Sequence, residues 1–224
     1  MISLIIPIYN EISKIQQCME NLRPFLKDME IIFADGGSSD GTLEKIDSAF
    51  KLISCPKGRA NQMNHAAKNA SGDVLWFSHC DSILPQTAAE EIKQAVENGA
   101  RFGCFHIGFD YDGPFMKCNT RNSNFRAKHY HIAFGDQGIF MTRELFNECG
   151  GFPELPIMED YELSLRMRRN QVKLHVLPSY IITSGRRYQG GFPLWTMWQM
   201  FWLRRLYQAG VDINEIARRY KDIR

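Results

Sequence analysis

Residues 30–42 read EIIFADGGSSDGT, in which an apolar run ends at Asp35 and a polar segment rich in glycine and serine follows. A short apolar run bounded by turn residues is typical of a strand that is buried on both faces. The glycines after Asp35 let the backbone turn tightly or approach a ligand closely. A capped turn, with Ser39 or Asp40 as the N-cap of a following helix, explains the same residues. This segment therefore predicts a buried strand and leaves both interpretations of its end open.

Short apolar runs alternate with helical periodicity along most of the chain. Residues 112–136 form a polar connection that we expect to be a loop and helix facing the substrate. Continuous apolar strands separated by helices indicate an α/β fold, with a single mostly parallel central sheet flanked by helices. Besides 30–35, strands are predicted at residues 2–6, 52–55, 73–78, 138–142 and 172–177, and helices at residues 12–26, 40–50, 60–70, 87–98 and 159–169.

Composition places the chain among ordinary globular proteins. The 224 residues are 44% hydrophobic and 23% charged, which excludes collagen-like, low-complexity and disordered classes. A net charge of +2 gives no support for a nucleic-acid partner. The six cysteines lack metal-binding or disulfide spacing, and the first residues lack a signal-peptide pattern. We therefore expect a cytoplasmic protein with reduced thiols.

Polar residues follow three of the predicted strands at the point where each strand ends. They are residues 9–11 (Tyr-Asn-Glu), residues 35–38 (Asp-Gly-Gly-Ser) and residues 79–81 (His-Cys-Asp). In parallel sheets, ligands bind outside the carboxyl ends of the strands. The three clusters therefore predict one binding site along this edge of the sheet.

The order of these motifs resembles that of family 2 glycosyltransferases. The matching segments are residues 7–11 (PIYNE), residues 35–42, the strand that leads to Asp81, and the pair Glu159-Asp160. Residues 58–64 and 135–138 also resemble a subgroup of small bacterial transferases, most of them uncharacterised. The resemblance implies the GT-A fold of nucleotide-diphospho-sugar transferases over residues 1–185. Residues 186–224 then form a basic, aromatic C-terminal helical extension.

The resemblance implies transfer from a nucleotide-sugar, a UDP- or GDP-sugar, to an unknown hydroxyl acceptor. Asp81 matches the last carboxylate of a D-x-D motif, which binds Mn²⁺ or Mg²⁺ and so neutralises the departing diphosphate. His79 stands where this motif has its first Asp. That difference leaves open whether His79 replaces a ribose or metal contact, binds diphosphate, or packs beneath the site. The residues implied to contact the donor are Pro7, Tyr9, Glu11, Asp35, Ser38, Arg59, His79 and Asp81.

On the acceptor side, the resemblance implies that Asp160 is the general base of an inverting reaction. Such a base takes the proton of the acceptor hydroxyl as that oxygen attacks the anomeric carbon. A carboxylate at the start of a helix is also a favourable cap or dipole partner, so a purely structural role stays open. The residues expected at the acceptor or diphosphate side are Gln137, Glu159, Arg186 and Arg187. Gln137 is expected to hydrogen-bond sugar hydroxyls, and the pair Arg186-Arg187 either closes over the diphosphate or begins a basic tail that faces a membrane.

Basic and aromatic residues concentrate near the end of the chain. Residues 186–224 carry eight basic and three acidic side chains, and three of the four tryptophans lie within the uncharged stretch 188–203. We expect residues 192–207 to lie on an anionic membrane surface, which would make the protein peripheral at the inner face of the cell membrane. The acceptor would then be lipid-linked or presented by the membrane. A helix packed on the domain, or on its copy in a homodimer, explains the same residues.

Two other functions remain as alternatives. A nucleotidyltransferase acting on a sugar phosphate shares the nucleotide-binding sheet and the metal, but it gives Asp160 no role. A non-catalytic, glycosyltransferase-like binding subunit is suggested by His79 and by the C-terminal segment. A glycosidase is disfavoured, because it requires two catalytic carboxylates and no nucleotide site.

Overall fold

The computed structural model describes residues 1–111, 113–185 and 193–220, and these residues form one seven-stranded sheet with helices on both faces. The strands are β1 (Ile2–Ile8), β2 (Glu30–Asp35), β3 (Lys51–Ser54), β4 (Val74–Phe77), β5 (Phe102–Phe109), β6 (Phe140–Thr142) and β7 (His175–Thr183). The helices are α1 (Ile15–Leu22), α2 (Arg59–Asn69), α3 (Ala88–Glu97), α4 (Pro114–Tyr130), α5 (Arg143–Cys149), α6 (Glu159–Arg169), α7 (Pro193–Gln208) and α8 (Ile213–Arg219).

The strand order across the sheet is β3-β2-β1-β4-β6-β5-β7. The first four strands in this order are parallel to one another, and β5 is parallel to β7. Only β6 among the described strands runs the other way, between β4 and β5. The prediction of a single, mostly parallel central sheet is therefore confirmed. Because β1, β2 and β4 are parallel neighbours, their carboxyl ends meet at one edge.

The apolar runs of the central strands are buried because helices cover both faces of the sheet. Along β1, Leu4 and Ile6 face the layer formed by α1 and α3, whereas Ile5 faces the layer formed by α2, α5 and α6. All three side chains are at most 1% exposed. The sequence of a strand that is buried on both faces is continuously apolar, whereas a strand with one exposed face alternates apolar and polar residues. This is why the run at residues 2–6 indicated a central strand.

The helix predicted over residues 40–50 is wrong. Only a single 3₁₀ turn, Leu43–Lys45, forms there. The side chain of Asp40 accepts a hydrogen bond from the Ile12 amide at 3.1 Å, and the hydroxyl of Thr42 accepts one from the Glu11 amide at 2.9 Å. These bonds tie the segment to the loop after β1, so its polar residues stabilise a loop instead of a helix.

Two other predicted elements differ in their bounds. The last strand, predicted over residues 172–177, begins later and extends to Thr183, because it pairs with β5 along most of its length. The polar connection over residues 112–136 contains the long helix α4. The remaining predicted strands and helices lie within a few residues of their observed positions.

The side chain of Gln62 holds the ends of β1 and β2 together. Its Nε2 donates hydrogen bonds to the carbonyl oxygens of Ile8 and Ala34, both at 2.7 Å, although the residue is only 5% exposed. A Cβ atom at Gly36 would lie 2.9 Å from Cδ of Gln62, so the amide fits only because residue 36 is glycine. Helix α2 is thereby fixed to the edge where the polar clusters lie.

We expect Gln62→Leu to lower the free energy of unfolding by about 1–3 kcal/mol, because it removes two buried hydrogen bonds without changing the side-chain volume greatly. Urea denaturation measures this loss. Gln94→Leu, at an exposed position of α3, is the matched control and should change stability little. Equal losses in the two variants would contradict the role given to Gln62.

Candidate active site

The carboxylate of Asp35 organises the turn that follows β2. It is 2% exposed and accepts hydrogen bonds from the amides of Gly37 at 2.8 Å and Ser38 at 3.1 Å. Gly37 has a φ of 91°, a conformation that suits glycine. A carboxylate has about four lone-pair sites, so the turn does not exhaust the acceptor capacity of Asp35. The turn is therefore present, and Asp35 can still accept a hydrogen bond from a ligand.

The loops after β1 and β2 are joined by reciprocal hydrogen bonds through Asn10. Its amide donates to the hydroxyl of Ser38 at 2.9 Å, and its side-chain oxygen accepts from the amide of Ser39 at the same distance. Asn10 has a φ of 53°, which Asn tolerates better than most residues. The two clusters predicted at the ends of β1 and β2 are therefore one connected surface.

Tyr9 and Pro7 lie on the same surface. Pro7 is opposite Ala34 in the pairing of β1 with β2. The ammonium group of Lys57 lies 3.0 Å from the hydroxyl of Tyr9 and 4.1 Å from the centroid of its ring. Sequence reasoning did not single out Lys57, because nothing in the spacing connects it with Tyr9.

Glu11 and Asp81 are brought together by a lysine that the motifs did not indicate. The Nζ atom of Lys14 lies 3.7 Å from a carboxylate oxygen of each residue. Glu11 follows β1 and Asp81 follows β4, so the parallel pairing of these strands accounts for their proximity. The described residues contain no group of three or more Asp, Glu, His or Cys side chains that could hold a metal ion by themselves. A cation at Asp81 would thus need further oxygen ligands from a substrate.

On the other side of β4, Asp160 lies in a narrow cleft that it shares with Arg59, His79 and Glu159. One carboxylate oxygen of Asp160 accepts from the amide of Gly135 at 2.7 Å, and the other accepts from the amide of Tyr161 at 2.7 Å. Asp160 lies in the first turn of α6, as predicted, and lines the cleft.

Gly135 permits this arrangement because it has no side chain. A Cβ atom there would lie 3.0 Å from Nε2 of His79 and 3.5 Å from the carboxylate of Asp160. His79, at the end of β4, thus lies against the turn that holds Asp160. This places His79 in the same cleft as Asp160.

Gln137 is fully buried beneath that turn. Its Oε1 accepts from Arg126 at 2.9 Å and from the amide of Phe134 at 3.3 Å, while its Nε2 donates to the carbonyl of Phe105 at 3.4 Å. The structure therefore gives Gln137 a supporting position and not the contact with acceptor hydroxyls that the sequence suggested. Arg126, which sequence reasoning missed, packs its guanidinium 3.7 Å from the Phe134 ring centroid, and burial lowers its pKa to about 10.

Arg59 and Glu159 form an ion pair across the cleft. Arg59 opens α2 and Glu159 opens α6, and their side chains approach to 3.4 Å. Glu159 is 4% exposed. Burial, together with the neighbouring charge of Asp160, raises the pKa of Glu159 to about 7 although Arg59 acts in the opposite direction. The remaining two predicted acceptor-side residues, Arg186 and Arg187, lie outside the described residues.

The sheet carries carboxylates at the adjoining ends of β1, β2 and β4, with a further carboxylate at the cleft, and this edge is where α/β proteins generally bind their ligands. The sequence profile of Glycosyl transferase family 2 matches residues 3–151, which is more than half of the chain. The chain belongs to this family.

Curated relatives support the same assignment. A glycosyltransferase of Haemophilus influenzae is 25% identical over 171 residues, covering 74% of this chain and 55% of that protein. The succinoglycan biosynthesis protein ExoA of Rhizobium meliloti is 28% identical over 190 residues. This match covers 73% of this chain and 57% of ExoA. The chain thus spans little more than half the length of these relatives.

Solved structures confirm the GT-A-type fold. A mannosyltransferase from Pyrobaculum calidifontis, in complex with GDP-Man and Mn²⁺, superposes with a TM-score of 0.67 at 19% identity, covering 94% of this chain and 64% of that one. S. aureus TarS in complex with UDP-GlcNAc gives a TM-score of 0.64 at 19% identity, covering 83% of this chain and 58% of that one. At this identity the similarity concerns the fold alone.

The raised pKa of Glu159 predicts a pH-dependent stability. An acid whose pKa is higher in the folded than in the unfolded chain stabilises the fold fully below its unfolded pKa, and this contribution is lost as the pH rises through about 7. Between about pH 5 and pH 8 we therefore expect the free energy of unfolding of the wild-type protein to fall, relative to that of Glu159→Gln, by on the order of 2 kcal/mol. The variant has no ionisable group at this position. Urea unfolding of both proteins across this range measures the shift.

Glu148→Gln removes an exposed carboxyl that pairs with Arg101 and serves as the control. The difference in unfolding free energy between Glu148→Gln and the wild type should stay nearly constant across this pH range. A stability difference between Glu159→Gln and wild type that stays constant with pH would show that Glu159 ionises normally in the folded protein.

Proposed function

We propose that the chain is a metal-assisted glycosyltransferase that moves a sugar, with inversion, from a nucleotide-diphosphate donor to a hydroxyl acceptor. The observation that carries the proposal is the position of the Asp160 carboxylate. Asp160 lines a cleft shared with Arg59 and His79, while separate carboxylates lie at the neighbouring ends of the parallel strands. Family membership supports the reaction class. The neighbours solved with GDP-Man and with UDP-GlcNAc support a nucleotide-sugar donor.

The nucleotide is proposed to lie along the joined loops after β1 and β2. There the carboxylate of Asp35 retains acceptor capacity for a base or ribose donor group. Tyr9 offers an aromatic face, and the ammonium group of Lys57 lies beside it. Ser38 and Pro7 complete this surface. A cation close to the nucleotide compensates part of its negative charge.

A divalent cation is proposed to bind at Asp81, with Glu11, which shares the ammonium group of Lys14 with Asp81, as a further carboxylate close to it. Hard oxygen ligands suit Mg²⁺ and Mn²⁺, which commonly use one or two carboxylates and complete their coordination with substrate phosphates. When bound, the cation would neutralise charge that develops on the departing diphosphate. The ammonium group of Lys14 holds the two carboxylates near each other.

Asp160 is proposed to be the general base. The two backbone amides that it accepts from fix its orientation and leave lone pairs on both oxygens for an incoming hydroxyl. Arg59 can contact the diphosphate from the opposite wall of the cleft, since its guanidinium is charged and more than a third exposed.

Asp160→Asn keeps an oxygen for the Gly135 amide but cannot take a proton. We expect it to lower turnover by about 10²–10⁴-fold while leaving donor binding unchanged. Hydrolysis of a panel of UDP- and GDP-sugars with Mn²⁺ gives the rate, and calorimetry gives the affinity. Glu154→Gln, at an exposed carboxyl outside the cleft, is the control.

Loss of donor binding in Asp160→Asn would assign this residue to the nucleotide site instead. If no donor of the panel binds or is hydrolysed by the wild-type protein, the transferase proposal fails. Release of pyrophosphate from a nucleoside triphosphate would favour the nucleotidyltransferase alternative. Donor binding without any turnover would favour a non-catalytic binding subunit.

Asp81→Asn tests the metal. We expect the variant to lose the gain in donor affinity that Mn²⁺ gives the wild-type protein, because a neutral amide is a poorer ligand than a carboxylate. Calorimetric titration of UDP and GDP with and without Mn²⁺ measures this gain. Asp73→Asn, an exposed carboxyl near the N-terminus, is the control. An unchanged Mn²⁺ effect in Asp81→Asn would place the metal elsewhere.

A further inference from the structure

Helix α7 presents a row of exposed tryptophans. Trp195, Trp198 and Trp202 are 62%, 52% and 37% exposed. Their spacing of three and four residues places them on one face of the helix, and Arg205 continues that face. Phe201 is 55% exposed beside them. Large apolar side chains rarely cluster in contact with water unless the surface has a partner.

The indole rings of this row cover one another. Trp195 and Trp198 are stacked with centroids 5.0 Å apart, and Trp198 and Trp202 are stacked at 6.2 Å. The guanidinium group of Arg219, from α8, lies 5.4 Å from the Trp202 ring. A sugar ring binds to the flat face of an aromatic ring, and stacking occupies most of those faces. The row is therefore poorly suited to hold a glycan and well suited to enter an apolar phase.

The opposite face of α7 is attached to the acceptor side of the cleft. Leu203 is 1% exposed, and the hydroxyl of Tyr207 donates to a Glu162 carboxylate oxygen at 2.8 Å. The guanidinium group of Arg204 lies 5.4 Å from the ring of Phe134, which directly precedes the glycine that holds Asp160. A surface that receives the tryptophan row would thus lie about one helix diameter, ~10 Å, from the turn at Asp160.

We propose that α7 and α8 dock on the surface of an anionic lipid bilayer, with the tryptophan row buried at the boundary between headgroups and acyl chains. Tryptophan favours this boundary, where its ring is apolar and its N–H remains hydrated. No helix among the described residues is long and apolar enough to span a membrane, so α7 would lie along the surface.

Charge favours a bilayer over a second copy of the chain. Arg205 and Arg218 are exposed on the two helices, and the described part of the segment, residues 193–220, has four arginines against two acidic residues. A symmetric dimer places identical patches against each other and would bring these positive charges together. Anionic lipids supply the opposite charge.

Docking in this orientation would place the turn at Asp160 near the membrane. Together with the proposed transferase function, on which this step rests, that position implies that the acceptor hydroxyl is carried by a lipid or a lipid-linked group. The docking itself does not depend on catalysis, so it can be tested without donor, acceptor or metal.

The test measures binding to vesicles of phosphatidylcholine with and without phosphatidylglycerol. We expect the wild-type protein to cosediment with the anionic vesicles, and added salt to weaken this binding. Tryptophan emission should shift to shorter wavelength on binding. Because Trp76, the remaining tryptophan, is fully buried in the core, the shift reports on α7.

Trp195→Ala/Trp198→Ala should weaken vesicle binding roughly tenfold or more. Phe125→Ala/Tyr130→Ala removes two exposed aromatic rings that contact each other on α4, and it should bind like the wild type. Failure of the wild-type protein to bind, or equal binding of the tryptophan variant, would overturn the proposal. A wild-type dimer in sedimentation equilibrium that the tryptophan substitutions dissociate would assign the row to a second copy instead.

Discussion

The parallel pairing of β1 with β2 is the constraint on which the proposed donor side depends. Ile8 is opposite Asp35 in this register, and the amide of Gly36 donates to the Ile8 carbonyl at 3.0 Å. Both strands therefore end at the same level, and the buried amide of Gln62 bonds to both ends. A shift by one residue would reverse the faces of β2 and remove Asp35 from this edge. Asp81 joins the edge because β4 is also parallel to β1.

The proposed acceptor side depends on β6, the one antiparallel strand among those described. β6 pairs with β4, and the turn before it carries Gly135 to the cleft, where its amide fixes the carboxylate of Asp160. The Arg59–Glu159 ion pair then connects α2, which is bound to the ends of β1 and β2 through Gln62, with α6, which carries the proposed base Asp160. The two halves of the cleft are thus linked through charge.

Much of this arrangement could be predicted from the sequence. Continuous apolar runs indicate burial on both faces of the sheet, and polar residues at the ends of parallel strands indicate that they meet at one edge. What could not be predicted depends on tertiary contacts. Lys14 acquires its place between Glu11 and Asp81 only when β1 and β4 pair. Residues 40–50 satisfied the helical pattern, yet Asp40 and Thr42 bond to the loop after β1. Gln137 carries a group suited to sugars and is nevertheless buried under Phe134.

The most direct measurement is a crystal structure with Mn²⁺ and whichever UDP- or GDP-sugar the protein binds. The proposed function predicts the base or ribose at Asp35, the diphosphate beside Asp81, and the anomeric carbon of the sugar facing the cleft at Asp160. A donor bound away from the ends of β1, β2 and β4 would contradict it. So would a donor at this edge whose anomeric carbon points away from Asp160, because no acceptor hydroxyl could then lie between the two.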